Sequence, residues 1–317
     1  MSLRPPQKPQ NRRASLSKAG ERRPRFRRVK PRPFVLTPRD RTIVELVAEY
    51  RILSSEQIIA LVGEGSPQVI LRRLSLLFHG RYLERPRSQI EDLLRFTGSR
   101  PIAYALGTAG ATLLGLKPPK PVKLPFVDHT LGVSSVLVAF TLSCREHGNV
   151  RVMPWREILA EKVPEERRRK KEPDAWKARL PDGGAVGVKP DAIFGLHYLD
   201  KPEGANRAYF FLEVDRGTMP VMRAGLSQTS VYRKLLAYHA TAAAGLQTSL
   251  FGIKTFRVLT VTRSPEKRRL ASLVDAAGKL PSLQGLFLFG EEQSLLGGDA
   301  LTSEWISGKK ERAALGK

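Results

Sequence analysis

Two apolar runs with acids at their mouths constrain this chain more than any other part of it. The first is Lys189–Leu196, KPDAIFGL, and the second is Phe210–Thr218, FFLEVDRGT. Both are short and apolar, with Gly and Pro close by, which is the pattern of buried strands. On a strand, residues two apart share a face. Glu213 and Asp215 therefore point one way and Leu212 and Val214 the other, while Lys189 and Asp191 face together across Pro190. If the two strands are neighbours, Asp191 approaches Glu213. Acids have no reason to sit beside buried strands unless a metal ion, a basic partner or solvent neutralises them.

Periodicity orders the surrounding segments. Asp128–His147 reads as an amphipathic helix with Val133, Val136, Leu137, Phe140 and Cys144 on one stripe. His129 at its start is either a ligand or, more blandly, a packing histidine. Val150–Ile158 reads as a strand, followed by Gly187–Leu196 and Ala208–Asp215, then a long helix over Ala224–Ala244 and a strand over Thr255–Thr262. A cap at Ser264-Pro265-Glu266 opens a helix to about Gly278, and Gly285–Phe289 is a last short strand. The order is α-β-β-β-α-β with further α and β. Residues 161–185, with the wholly basic run Arg167–Lys171, form an insertion that is either a solvated loop or a DNA-backbone contact.

Upstream, three cap signals mark three short helices. Thr37-Pro38 starts one with Ile43, Val44, Leu46 and Val47 inward; Ser54 starts a second with Ile58, Ile59 and Leu61, ending at Gly63. Ser66-Pro67 starts a third with Val69, Ile70, Leu71, Leu74 and Leu77 apolar and with Gln68, Arg72 and Arg73 turned away from much of that face. A strand over Tyr82–Arg85, a basic connector to Arg100 and a strand over Pro101–Leu106 follow, and Thr108–Leu116 is a further short helix. This is the order of a winged helix, with Gln68, Arg72 and Arg73 expected at DNA and Arg85 and Arg87 near phosphates in the wing. A protein-interaction module is the blander alternative.

Lysine and arginine total 54 against 30 acids in 317 residues, a formal charge of +24. Such an excess favours a polyanionic partner, because each phosphate neutralised releases condensed counterions. Residues 1–33 carry twelve of these cations against Glu21 alone and read as a disordered basic arm, either a solubilising tail or a DNA-phosphate contact. No run of 18 or more apolar residues and no signal peptide is visible, so no membrane partner is expected and the location expected is cytoplasmic, at nucleoid or plasmid. Cys144 is the only cysteine, which excludes an internal disulfide, and the five histidines lack the spacing of a zinc site.

Two or three carboxylates within a few ångströms repel, and a divalent cation removes that penalty. Hard oxygen ligands select Mg²⁺ or Mn²⁺, so Asp191, Glu213 and Asp215 are the candidate metal ligands. Such a metal would polarise a phosphodiester and activate water. Pro190-Asp191 and Glu213-x-Asp215 on successive strands resemble the PD-(D/E)XK restriction-endonuclease-like fold. With LTPRDRTIVELV, YALGTAGATLL, His129 opening a helix, KPDAIF, FFLEVDRGT and YRKLLAYH, the chain resembles the replication-relaxation family over roughly residues 35–265. That resemblance implies a winged helix joined to a nuclease-like domain in a protein of plasmids and other mobile elements. The nuclease pattern has a lysine two residues after the glutamate; here Asp215 stands there. The cation of the catalytic set would then be Lys189, Lys234 or Arg216.

The expected fold is α+β or α/β: an N-terminal winged helix-turn-helix followed by a restriction-endonuclease-like αβββαβ domain. Its parts are a basic arm (1–34), a winged-helix domain (35–116), a Pro-rich linker (117–125), a nuclease-like domain (126–300) and a basic C-terminal tail (301–317). The first function expected is a DNA-binding accessory factor of plasmid or mobile-element replication or relaxation, acting on double-stranded DNA with a relaxase or replication-initiator protein. The second is a Mg²⁺-dependent endonuclease or nickase using Asp191, Glu213 and Asp215 with Lys189 or Lys234. The third is a winged-helix transcription regulator.

Overall fold

The computed structural model describes residues 26–29, 33–87, 89, 101–118, 124–180, 183–225, 228–264, 266 and 268–316. Most of the basic arm and linker, and the connector after Ser88 apart from Gln89, lie outside these residues. The N-terminal half begins with α1 (Pro38–Tyr50), β1 (Ile52–Ser54), α2 (Ser55–Val62) and α3 (Pro67–His79). β2 (Leu83–Glu84), β3 (Ala103–Leu106) and α4 (Thr108–Leu113) follow. The caps work as their residue types require. Thr37 and Asp40 close a reciprocal capping box, Ser54 and Gln57 close another, and the Ser66 side chain accepts from Val69 N–H. The antiparallel sheet β1-β3-β2 closes this half. β1 carries no sequence signal of its own, because its three residues also supply the cap of α2.

Two residues expected at DNA are instead fixed inside this half. Arg73 forks onto Asp40, which is fully buried, and also donates to the Val35 carbonyl. Arg85 is buried, with its guanidinium 4.3 Å from the centre of the Phe78 ring and donating to the Tyr104 hydroxyl at 3.1 Å. A buried acid and an enclosed aromatic face each hold a cation expected at DNA. Gln68, Arg72 and Arg87 are exposed, as are Val69 and Leu71, which were expected in the core. Arg28, within the stretch read as a free arm, stacks on Phe78 at 4.5 Å and pairs with Glu84.

The second half is a seven-stranded mixed sheet. Its members are β4 (Val150–Pro154), β7 (Ala192–Tyr198), β8 (Arg207–Asp215), β9 (Arg257–Thr262), β10 (Phe287–Glu291), β11 (Trp305–Ser307) and β12 (Arg312–Ala313). The spatial order is β12-β11-β10-β9-β8-β7-β4, with β8, β9 and β10 parallel and the other pairings antiparallel. α5 (Leu124–His147) covers one face, and α8 (Val231–Ala243) with α10 (Arg269–Gly278) covers the other. The expected order α-β-β-β-α-β is therefore present as α5, β4, β7, β8, α8 and β9, and the molecule is a mixed α+β protein.

Several boundaries differ from expectation. Pro154 ends β4 and Trp155–Glu161 turns into the short helix α6, cutting the expected strand to Ile158. The charged insertion contains a one-turn helix, α7 (Glu165–Arg168), and a hairpin, β5 (Trp176–Arg179) with β6 (Ala185–Val188). Its buried Trp176, Ala178 and Val188 pack into the core under α8, so it is not wholly a solvated loop. The helix expected from Ala224 begins only at Val231, where Ser230 caps it, and α9 (Leu246–Phe251) follows it. The C-terminal stretch read as a basic tail is folded. After α11 (Glu292–Gly297), β11 and β12 extend the sheet and bury Trp305, Leu301 and Leu315. Its exposed cations hid an alternating buried face.

α5 belongs to both halves. Val133, Val136, Phe140 and Cys144 pack on the sheet, while Leu137, Val138 and Leu142 pack into the core of the N-terminal half. Polar contacts fasten the same junction: the buried Ser134 hydroxyl donates to the Tyr50 carbonyl at 2.9 Å, Gln57 donates to Ser135 at 2.9 Å, and Arg145 donates to the Leu61 carbonyl at 2.6 Å. Phe126–His147 has the length and composition to cross a membrane. A helix apolar on every side is also what a position between two cores demands.

Candidate functional site

The ladder between β7 and β8 sets the site. Ala192 pairs with Leu212, and Asp191 N–H donates to the Leu212 carbonyl at 3.0 Å. Beyond that point Pro190 offers no N–H, and the Asp191 side chain takes over. Its Oδ2 accepts from Val214 N–H at 2.8 Å, and its Oδ1 lies 2.9 Å from His129 Nε2 on the first turns of α5. Asp191 is thus fixed against the last residues of β8, as the strand count expected.

Glu213 is buried and points toward α8, where Lys234 and Tyr238 stand one turn apart and both hydrogen-bond its carboxylate. The Lys234 side chain keeps about a third of its surface open, at 34%. His129, Asp191, Glu213, Lys234 and Tyr238 line one open cavity of about 360 Å³ at the ends of the strands. A neighbouring cavity of about 430 Å³ shares His129 and Asp191 with it and runs between α1, α5 and β7.

The two carboxyls are driven apart in acidity. Burial pushes Glu213 up, to about 7, with the Asp191 charge adding to the rise and Lys234 and Tyr238 restraining it. Burial raises Asp191 too, but the hydrogen bond with His129 and the charge of Lys234 outweigh it and hold the group below its ordinary value. The two acids hold Lys234 charged against the opposing effect of burial. A carboxylate kept ionised beside a carboxyl that exchanges its proton near neutrality suits acid–base chemistry.

Asp215 lines the same cavity, but its carboxylate is engaged by a different partner. Its carboxylate is clamped by Arg269, with nitrogens at 2.7 and 2.9 Å, and accepts from Thr262 Oγ1 at 3.1 Å. Arg269 also holds the Met219 carbonyl at 2.7 Å, so the pair fastens the turn after β8. Lys189 turns outward to Glu172 at 3.0 Å, and Arg216 lies 4.0 Å from Asp128. Of the three cations considered in place of the missing lysine, Lys234 bonds Glu213 directly. Among the described residues, no group of three or more His, Cys, Asp or Glu side chains is placed to hold a metal. The three-carboxylate Mg²⁺ set accordingly does not fit the side-chain arrangement, because Asp215 is committed to Arg269.

Tyr238 and Arg269 were not anticipated. Tyr238 had a readable signal, since it follows Lys234 by four residues in YRKLLAYH and must share its helical face. Arg269 had none: its partner is 54 residues away.

The replication-relaxation family model matches residues 44–255. The chain belongs to the replication-relaxation family. The span shared with that family holds His129, Asp191, Glu213, Lys234 and Tyr238, whereas Arg269 and the strands from β9 onward lie beyond it. No curated protein and no solved structure matches the chain. In this replication-relaxation protein the cation beside Glu213 is Lys234, supplied by α8 from across the layer.

Proposed function

We propose that this chain is a DNA-binding accessory protein in the replication or relaxation of plasmids or other mobile elements. The N-terminal half is read as a winged helix and the sheet half as a restriction-endonuclease-like body. The observation that carries this reading is α3 itself: a capped helix ending a three-helix array, with Gln68 and Arg72 exposed, in a chain of charge +24. Exposed polar and cationic side chains on the third helix of such an array are placed to meet a groove and its phosphates. Double-stranded DNA is the partner, with a relaxase or replication-initiator protein as a possible second, and a cytoplasmic, plasmid-associated location follows. The test is duplex binding between 50 and 500 mM salt. Affinity should fall steeply with salt, and Arg72→Ala should weaken it; an affinity indifferent to salt sinks the reading.

Lys234 favours a second reading, a Mg²⁺-dependent endonuclease or nickase. Asp191 and Glu213 would then be the acids facing the metal, which would activate water for phosphodiester attack. Lys234 would offset the charge building on phosphate, and Asp215 would serve only to fasten the turn. A supercoiled-plasmid nicking assay with Mg²⁺ or Mn²⁺, run beside Asp191→Ala, decides it. Cleavage lost in the variant while duplex binding survives supports it, and no cleavage by the intact chain ends it.

A further inference from the structure

At the opposite end of the same strands, about 20 Å from Glu213 along β8 at roughly 3.3 Å per residue, lies a separate cavity of about 460 Å³. Lys201, Arg207 and Arg257 line it, and among the described residues no acid does. Its walls include Tyr209, which is partly exposed, with Tyr198 and Phe256 buried behind it. Arg207 is anchored by Glu161 at 2.9 Å, just outside the lining, and the Lys201 ammonium lies 4.2 Å from the centre of the Tyr198 ring. Arg257, the first residue of β9, is exposed and makes no ion pair among the described residues.

A basic patch on a protein of charge +24 is by default a solvated surface. This one differs in being concave and in pairing its cations with aromatic walls. Arg207 is already paired with Glu161, and the positive charge gathered around one hollow with no acid in its lining favours an entering anion. An aromatic face beside cations is what a phosphate-bearing aromatic ring requires, because stacking accepts any base while the cations hold the backbone, and the partly exposed Tyr209 ring is the face available here. We propose that this cavity binds a nucleotide unit, a base with its phosphate, supplied either by single-stranded nucleic acid or by a free nucleotide. The site stands apart from the α3 surface and from the Asp191 cavity.

The test uses the full chain and four probes: a short oligothymidylate, thymidine monophosphate, inorganic phosphate and duplex DNA. Binding is followed by anisotropy or calorimetry for wild type, Arg257→Glu and Lys201→Gln. Oligothymidylate or the monophosphate should bind, phosphate alone should bind much more weakly, and each variant should weaken the bound probe at least about tenfold, as expected for losing a charge-assisted contact. The exposed position of Arg257 should leave the unfolding midpoint unchanged. Binding of the oligonucleotide alone identifies a strand as the source, and binding of the monophosphate alone identifies a free nucleotide. If neither binds, if phosphate binds as well as the monophosphate, or if both variants leave affinity intact, the proposal is overturned. The duplex arm is scored separately: its failure removes the α3 reading without touching this one.

Discussion

Around Glu213 the partners are side chains of the same chain: Lys234 and Tyr238 bond its carboxylate, and Arg269 clamps Asp215. Alternation along a strand acts over two residues and placed Glu213 on one face, whereas the approach of Asp191 needed the pairing of β7 with β8. The partners were not legible, since Arg269 and His129 reach their acids across 54 and 62 residues. The burial of Glu213 has a sign. Its carboxyl rises from an unfolded value near 4.5 to about 7 in the fold, so the unfolded chain gives up this proton first as pH rises. The contribution is therefore complete below pH 4.5 and is lost progressively toward pH 7. Glu213→Gln cannot titrate, and its urea midpoint should change less over that window than that of wild type; parallel curves would refute the assignment. At Arg73 the expected loss is of stability rather than of DNA contact. Arg73→Ala leaves Asp40 buried without its partner and should cost about 3 kcal/mol, measured by denaturant unfolding. Burial raises the Asp40 carboxyl, yet the Arg73 and Thr37 hydrogen bonds hold it below its ordinary value. Its share of stability is therefore present above pH 3.8 and disappears as pH falls through the folded value.

Elements were most legible where caps and apolar periodicity agreed, as in α1, α2 and α3, and least where an element is short or is built from long-range contacts. β1 is three residues, β5 and β6 are hidden in a charged insertion, and β11 and β12 lie among lysines and glycines. Each is held by pairing with distant strands or by packing under α8, which local patterns do not record. The glycines of YALGTAGATLL have a physical reason in the packing of α4 on the turn after α3. A Cβ at Gly107 would overlap the Arg81 carbonyl oxygen, and one at Gly110 would overlap that of Tyr82. Both obstacles are backbone and cannot swing aside. Gly107→Ala should therefore destabilise by at least about 2 kcal/mol, in the range of core overpacking, as a lowered thermal midpoint. An unchanged midpoint would mean that this turn shifts freely.

For the whole molecule, the sheet extends past the region matched to the family and needs its C-terminal strands. Removing residues 301–317 takes away buried Trp305, Leu301 and Leu315. Losing one buried tryptophan typically costs about 3–5 kcal/mol, against a total stability of about 5–15 kcal/mol. The truncated chain should fail to show a cooperative thermal transition by circular dichroism. Neutralising Lys309 alone should move stability by less than about 0.5 kcal/mol, separating a structural strand from a charged tail. The division into two domains at a Pro-rich linker overlooked α5, whose opposite sides complete both cores. α5 is common to both cores, so the two halves pack through one shared helix. On the proposed DNA-binding reading, a duplex seated on α3 would meet the sheet half at an offset set by α5.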